Sequence, residues 1–186
     1  MARIGLNNFR LAPATVGADG AVSYGKIMQP AKAVSFSFEP TIADASLYAD
    51  DALAESDNRV TGGDVTMGIA SADLKTMGEI LGHTVSEEGE ETANVNDTVG
   101  YWGVGRVTRL MIDGKQKFRA TVLSLVKFQE PSDDESTMAD SVEFGTYELA
   151  GKMSVPANGV WRVRQTFDTQ AEAITFIEKA LGKAQA

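Results

Sequence analysis

The chain has 186 residues and a net charge of −9, from 17 basic and 26 acidic side chains, and it contains no cysteine. A chain of this length is read as one domain, able to bury ~70% of the surface it exposes when unfolded without any cross-link. The missing cysteines exclude disulfides, thiolate metal sites and cysteine catalysis, and so acidic a surface argues against a protein that grips nucleic acid through its phosphates.

The start, Met1 to Asn8, lacks the apolar stretch of a signal peptide. No apolar run approaches the ~20 residues of a membrane span, so no membrane association is expected. Alternation with a period of two dominates the chain from Lys32 onward, the pattern of half-buried strands. From Lys32 to Glu39, Val34, Phe36 and Phe38 share one face and Ser35, Ser37 and Glu39 the other. Between Val60 and Ile69, Val65, Met67 and Ile69 oppose Asp64, Thr66 and Gly68. Ser71 then opens a short helix with Leu74, Met77 and Leu81 on one face and Gly82 as its stop. Two long strands, Tyr101–Ile112 and Lys117–Phe128, flank Asp113-Gly114, a dipeptide suited to a type I′ hairpin turn. A second hairpin is expected about Asn158-Gly159, between Tyr147–Val155 and Val160–Phe167. Thr169 and Glu172 have capping-box spacing and open a last helix, striped by Ile174, Ile177 and Leu181 and ended by Gly182. The expected fold is mainly β with flanking α: a β-sandwich or barrel with one short internal helix and a C-terminal helix.

Three segments carry acids and no Lys or Arg: Asp44–Asp57, Glu87–Asp97 and Glu130–Asp140. They hold fifteen of the acidic residues, which leaves the rest of the chain at +6. None fits the calcium-loop pattern: Asp57-Asn58-Arg59 sets a cation in the ligand run, and Ser132-Asp133-Asp134-Glu135 lacks the turning glycine. Solvated loop acids are the ordinary reading. Glu87–Asp97 and Pro131–Asp140 are expected to order only against a neighbour. His83 is the sole histidine and comes just after a helix end, so it is read as surface rather than as a catalytic base. Gly100 to Gly105 has the wrong spacing for a phosphate loop and leads into a strand. Lys115, Lys117 and Arg119 alternate on one strand, and Arg162 and Arg164 on another. They are read as an outer face or as a surface that meets another subunit's acidic loop. No catalytic, cofactor or metal constellation emerges, and the chain is not expected to be an enzyme.

Several motifs occur in order. Leu47-Tyr48-Ala49-Asp50-Asp51-Ala52-Leu53-Ala54-Glu55 precedes Thr61-Gly62-Gly63-Asp64-Val65-Thr66. Then come Glu79-Ile80-Leu81-Gly82, Gly100-Tyr101-Trp102-Gly103-Val104-Gly105, Asp113-Gly114-Lys115 and Asn158-Gly159-Val160-Trp161-Arg162. This series, from about Ala43 to Gly182, resembles the major tail (tail tube) proteins of long-tailed bacteriophages with non-contractile tails.

The resemblance implies the β-sandwich or barrel shared with type VI secretion tubes. It divides the chain into an N-terminal arm (1–26), a β core (27–168) with a long loop (43–58), and the final helix (169–182). It implies hexameric rings stacked into a tube in the virion tail, assembled in the bacterial cytoplasm. The implied partners are further copies of the chain and the tape measure, tail terminator and distal tail proteins; DNA passes through without specific binding. Contacts between rings are expected from Leu47, Tyr48, Asp50, Asp51 and Leu53 of the loop, and from Ile4, Leu6 and Phe9 of the arm. The lumen face is expected at Ser35, Ser37, Glu39, Asp64 and Thr66. Many of these proteins carry a further immunoglobulin-like domain; this chain ends after its last helix, so no adhesive role is expected. Two other readings stay open: a tube of a type VI secretion or tailocin-like system, and a calcium- or sugar-binding β-sandwich module.

Overall fold

The computed structural model describes residues 2–49, 52–71, 73–132 and 146–182, with the side chains of 45–49 and 52–57 left aside. Ten strands and two helices are found among them. They are β1 (Ala2–Val16), β2 (Val22–Tyr24), β3 (Ala33–Ala49), β4 (Ala52–Ile69), α1 (Leu74–Leu81), β5 (Thr84–Val85), β6 (Glu91–Thr92), β7 (Tyr101–Ile112), β8 (Lys115–Phe128), β9 (Tyr147–Ser154), β10 (Arg162–Phe167) and α2 (Gln170–Gly182). Eight strands form one antiparallel sheet in the order β2-β1-β7-β8-β9-β4-β3, with β10 also on β8; β5 and β6 pair apart. The chain is thus mainly β with two helices, a sandwich-like curled sheet.

Strand β8 is the spine. Along one edge it pairs with β7, and the Asp113-Gly114 turn between them has positive φ at both residues (49° and 74°), as a type I′ turn requires. Along its other edge lie both β9 and β10. Lys127 faces Lys152 and Phe128 faces Gly151, while Leu123 faces Arg162 and Phe118 faces Phe167. Residue numbers on β9 and β10 rise together as those on β8 fall, so the two run end to end in one direction. The expected second hairpin is therefore absent. The turn at Asn158-Gly159 does form, with Gly159 N–H donating to Pro156 O at 2.8 Å. It closes an excursion of residues 155–161, while Ser124 N–H donates to Trp161 O (3.0 Å) and Ser124 Oγ to Val160 O (2.7 Å). The turn chemistry was legible, but β8 competed for both flanking strands.

The N-terminal segment is a strand of this sheet rather than a detached arm. β1 pairs with β7 from Ala2 to Ala14, with a bulge between Asn7 and Arg10 where Asn8 takes φ 50°. The bulge resets the alternation and turns Phe9 and Leu11 into the core, both fully buried. Phe9 meets Phe36 of β3 at 6.0 Å between ring centroids, so the sheet's two ends close over a common interior. That core is built from Val65, Met67, Trp102, Leu123, Phe128 and Leu149, among others, and α1 plugs its end with Met77, Ile80 and Leu81. Trp102 Nε1 donates to Ile80 O at 3.1 Å, tying the helix to β7. Gly82 closes α1 in the left-handed region (φ 81°), as expected. The cap, however, is Asp73 rather than Ser71, and Leu74 is 55% exposed, because the core reaches the helix only from Met77 onward.

On the convex face, α2 lies across β7 and β8. Ala173, Ile177 and Leu181 are buried against Val107, Ala120 and Val122. Its capping box forms as expected: Thr169 N–H donates to Glu172 Oε2 (3.1 Å) and Glu172 N–H to Thr169 Oγ1 (3.3 Å). The helix comes so close because β7 offers glycine beneath it. A Cβ on Gly105 stands 2.2 Å from Ile177 Cγ2, and one on Gly103 2.6 Å from a Leu181 methyl. Gly105→Ala is therefore expected to cost about 1–3 kcal/mol by overpacking. Adding Ile177→Leu, which removes the β-branch methyl at that contact while keeping the volume, recovers part of the loss. Urea unfolding of the single and double variants measures both.

Candidate functional site

The most unusual element is the β3–β4 hairpin. Its register runs from Ala33 opposite Ile69 to Ala49 opposite Ala52. β9 backs only Gly62–Ile69 of β4, so from Ile42 and Val60 outward the two strands form a ribbon with no third strand beside it among the described residues. Eight residues of β3 beyond the sheet, 42–49, span about 25 Å. The segment 43–58, expected as a loop, is thus paired backbone over its described residues. Its Ala- and Asp-rich composition hid the strand signal, and the hairpin's register carries pairing through it. Leu47 and Tyr48 lie on β3, and Leu53, opposite Tyr48, on β4; Asp50 and Asp51 lie outside the described residues. At the ribbon's root, Ile42 is 56% exposed. Among the described residues, β3 pairs on one edge only, and Pro40 removes one donor from its backbone.

The other expected contacts divide. Ile4 stays half exposed, and Leu6 is partly buried against the core. Phe9 is withdrawn from the contact set: it has no exposed surface to offer another molecule.

The polar positions expected at the lumen do share one face. Ser37 stands opposite Thr66, and Glu39 opposite Asp64, while Ser35 pairs with Gly68, whose missing side chain leaves room for the Ser35 hydroxyl. All are exposed except the half-covered Thr66. The face is not uniformly acidic, however. The row through Glu39 and Asp64 continues into Lys152 on β9 and Lys127 on β8, with Lys152 Nζ 3.9 Å from an Asp64 carboxylate oxygen. Adjacent like charges repel across a ladder, and the Asp64–Lys152 contact offsets part of that. Lys127 also stands 5.9 Å over the Tyr101 ring.

Within Glu87–Asp97, expected to order only against a neighbour, Glu91 and Thr92 belong to a short hairpin of the chain itself. They pair with Val85 and Thr84, and Ser86 and Glu90 close the turn. His83, read as ordinary surface, anchors this hairpin. Its ring is largely covered, with Nδ1 2.8 Å from Glu91 Oε1 and Nε2 3.3 Å from Glu130 Oε2. Only the imidazolium donates to both carboxylates at once. The Glu91 hydrogen bond raises the His83 pKa above its ordinary 6.5, against the opposing effect of burial and with help from the Glu130 and Asp97 charges.

The basic rows of β8 and β10 fall on one face of the sheet, because Lys115, Lys117 and Arg119 alternate in step with Arg162 and Arg164 across the ladder. Lys117 pairs with Asp168. Arg119, Arg162 and Arg164 share a face with Thr121 and Leu123 inside the curl, where Arg106 of β7 joins them. Arg106 was not singled out from the sequence, although its place one step from Val107 in an alternating strand was the available signal.

No protein-family model matches the chain, and no curated protein is significantly similar to it. No helix among the described residues is long and apolar enough to cross a membrane.

Because the folded His83 pKa lies above the unfolded value, its contribution is complete below about pH 6.5. It is lost as pH rises through the raised folded value. Melting temperature is expected to fall across that interval in the parent chain and to fall less in His83→Gln, as thermal melts in buffers from pH 6 to 9 measure.

Proposed function

We propose that the chain is a self-assembling structural subunit, of the kind that stacks as hexameric rings into a tail tube through which DNA leaves a viral capsid. One observation carries the proposal: β3, 17 residues long, is an edge strand whose outer half runs with β4 as a ribbon beyond the rest of the sheet. A two-stranded ribbon is marginal alone in water, and an edge strand exposes backbone groups that template pairing with another chain. A second copy satisfies both needs. A head-to-tail contact of this type closes into a ring or repeats along an axis, which is the geometry of a stacked tube. The ordered motifs from Leu47-Tyr48 to Trp161-Arg162 support the same reading, as does the curled sheet with one helix on its convex face. Under this reading the Ser35, Ser37, Glu39, Asp64 and Thr66 face lines the bore. Its carboxylates repel phosphate, and the Lys152–Asp64 contact keeps one lysine from acting as a free phosphate ligand.

Negative-stain microscopy of concentrated protein is expected to show rings or hollow rods. Replacing residues 43–59 by Asn-Gly, which joins the facing Ile42 and Val60 by a tight turn, leaves a cooperative melt and abolishes those assemblies. A parent chain that sediments as a monomer at every concentration and salt level overturns the reading. The lumen assignment has its own test. Glu39→Lys with Asp64→Lys leaves assembly intact but makes the tubes retain duplex DNA at low salt and release it at high salt, measured by co-sedimentation. Equal DNA retention by parent and variant tubes refutes the assignment.

A further inference from the structure

The interior of the curled sheet is apolar over most of its length, yet towards its β1 end it becomes cationic. A cavity of about 220 Å³ opens there, lined by Arg3, Arg106, Arg119, Arg164, Thr108 and Thr121, among others, with no carboxylate among the described lining residues. The strand register explains the convergence. Arg106, Thr121 and Arg164 form one cross-strand row, and Thr108, Arg119 and Thr166 the next. Arg162 lies beside the rim, its guanidinium 4.2 Å over the Trp161 ring. Neighbouring like charges on one face of a ladder are destabilising, and here they surround Arg106, which is largely shielded from water while Arg3 and Arg164 stay exposed.

Arg106 shows the strain most clearly. Its guanidinium carbon stands 3.8 Å over the Phe36 ring, and its Nη1 is buried with no hydrogen-bond partner among the described residues. Burial, with repulsion from Arg3, Arg162 and Arg164, pulls its pKa down to about 10. It stays charged at neutral pH with Nη1 a buried donor that has no acceptor among the described residues, an arrangement native proteins rarely keep without a function. A negative group in the cavity removes both penalties at once. Guanidinium forks match carboxylate and phosphate oxygens bidentately, the threonine hydroxyls add neutral donors, and the volume suits several waters or one small oxyanion.

We propose that the arginine-lined cavity is an oxyanion-binding site. It takes either a free oxyanion or a carboxylate presented by a second copy of the chain. The cavity belongs to the single chain, so the site does not require the tube.

Inorganic phosphate is the probe. In dilute protein at constant ionic strength, replacing chloride by phosphate raises the melting temperature of the parent chain, as a ligand specific to the folded state does. Lys75→Gln, on α1, responds as the parent does. Arg106→Gln weakens phosphate binding by about tenfold or more, read by calorimetry, as loss of a charge-assisted donor predicts. The exposed Arg164→Gln repeats the test if Arg106→Gln does not fold. Sedimentation of concentrated protein then separates the two sources: phosphate that disperses associated copies identifies a partner carboxylate, and unchanged sedimentation identifies a free oxyanion. A parent chain that gains no more from phosphate than from chloride overturns the site. So does a response in Arg164→Gln equal to that of the parent.

Discussion

Backbone hydrogen bonding at the edge of the sheet is the constraint on which the proposed biology depends. Among the described residues, β1, β7, β8, β9 and β4 have a neighbour on both sides along at least part of their length, whereas β2 and β3 end the sheet and the six-residue β10 pairs only with β8. β2 is three residues long and covers only Ala14–Val16 of β1, so β1 is also open on that side from Ala2 to Arg10 among the described residues. β3 is 17 residues long and, with β4, runs on past the end of β9. Burying polar backbone without a partner is costly, while exposing a long edge invites association. Pro40 interrupts that edge at one position and leaves the rest able to pair. In the proposed assembly, this edge and the ribbon that extends it are what a second copy pairs with.

The sheet can carry this projecting element because its own interior is closed twice over. On the concave side β1 folds across to β3, where Phe9 meets Phe36, and α1 seals the end. On the convex side α2 sits directly on glycines 103 and 105. Burial on both faces makes β7 and β8 the most enclosed strands, and the expected stability lies there. The ribbon, by contrast, draws on little but its own ladder.

The distribution of charge has the same geometric origin. Acids gather in the hairpin, the β5–β6 turn and the segment after β8, while arginines line the inside of the curl. Such segregation weakens the single chain, since like charges accumulate on each side. It gives a surface that distinguishes partners by sign. His83 is the local exception, an imidazole set between two carboxylates that ties the β5–β6 hairpin to Glu130 just after β8.

Local periodicity and turn chemistry were enough to find β7, β8, the Asp113-Gly114 turn, both helices and the α2 capping box, because each depends on residues within one or two turns of chain. The polar face of Ser35, Ser37, Glu39, Asp64 and Thr66 was legible for the same reason: alternation alone assigns residues to faces. What alternation could not supply was the partner of each strand. Only the folded sheet showed that β9 and β10 share one edge of β8 instead of pairing with each other. Only the bulge at Asn8 buried Phe9, and only the long hairpin register made strands of residues 43–49 and 52–58. The arginine cavity belongs to this second class. Arg3, Arg106, Arg119 and Arg164 lie far apart along the chain, and it is cross-strand register, a property of tertiary pairing, that brings their charges to one place.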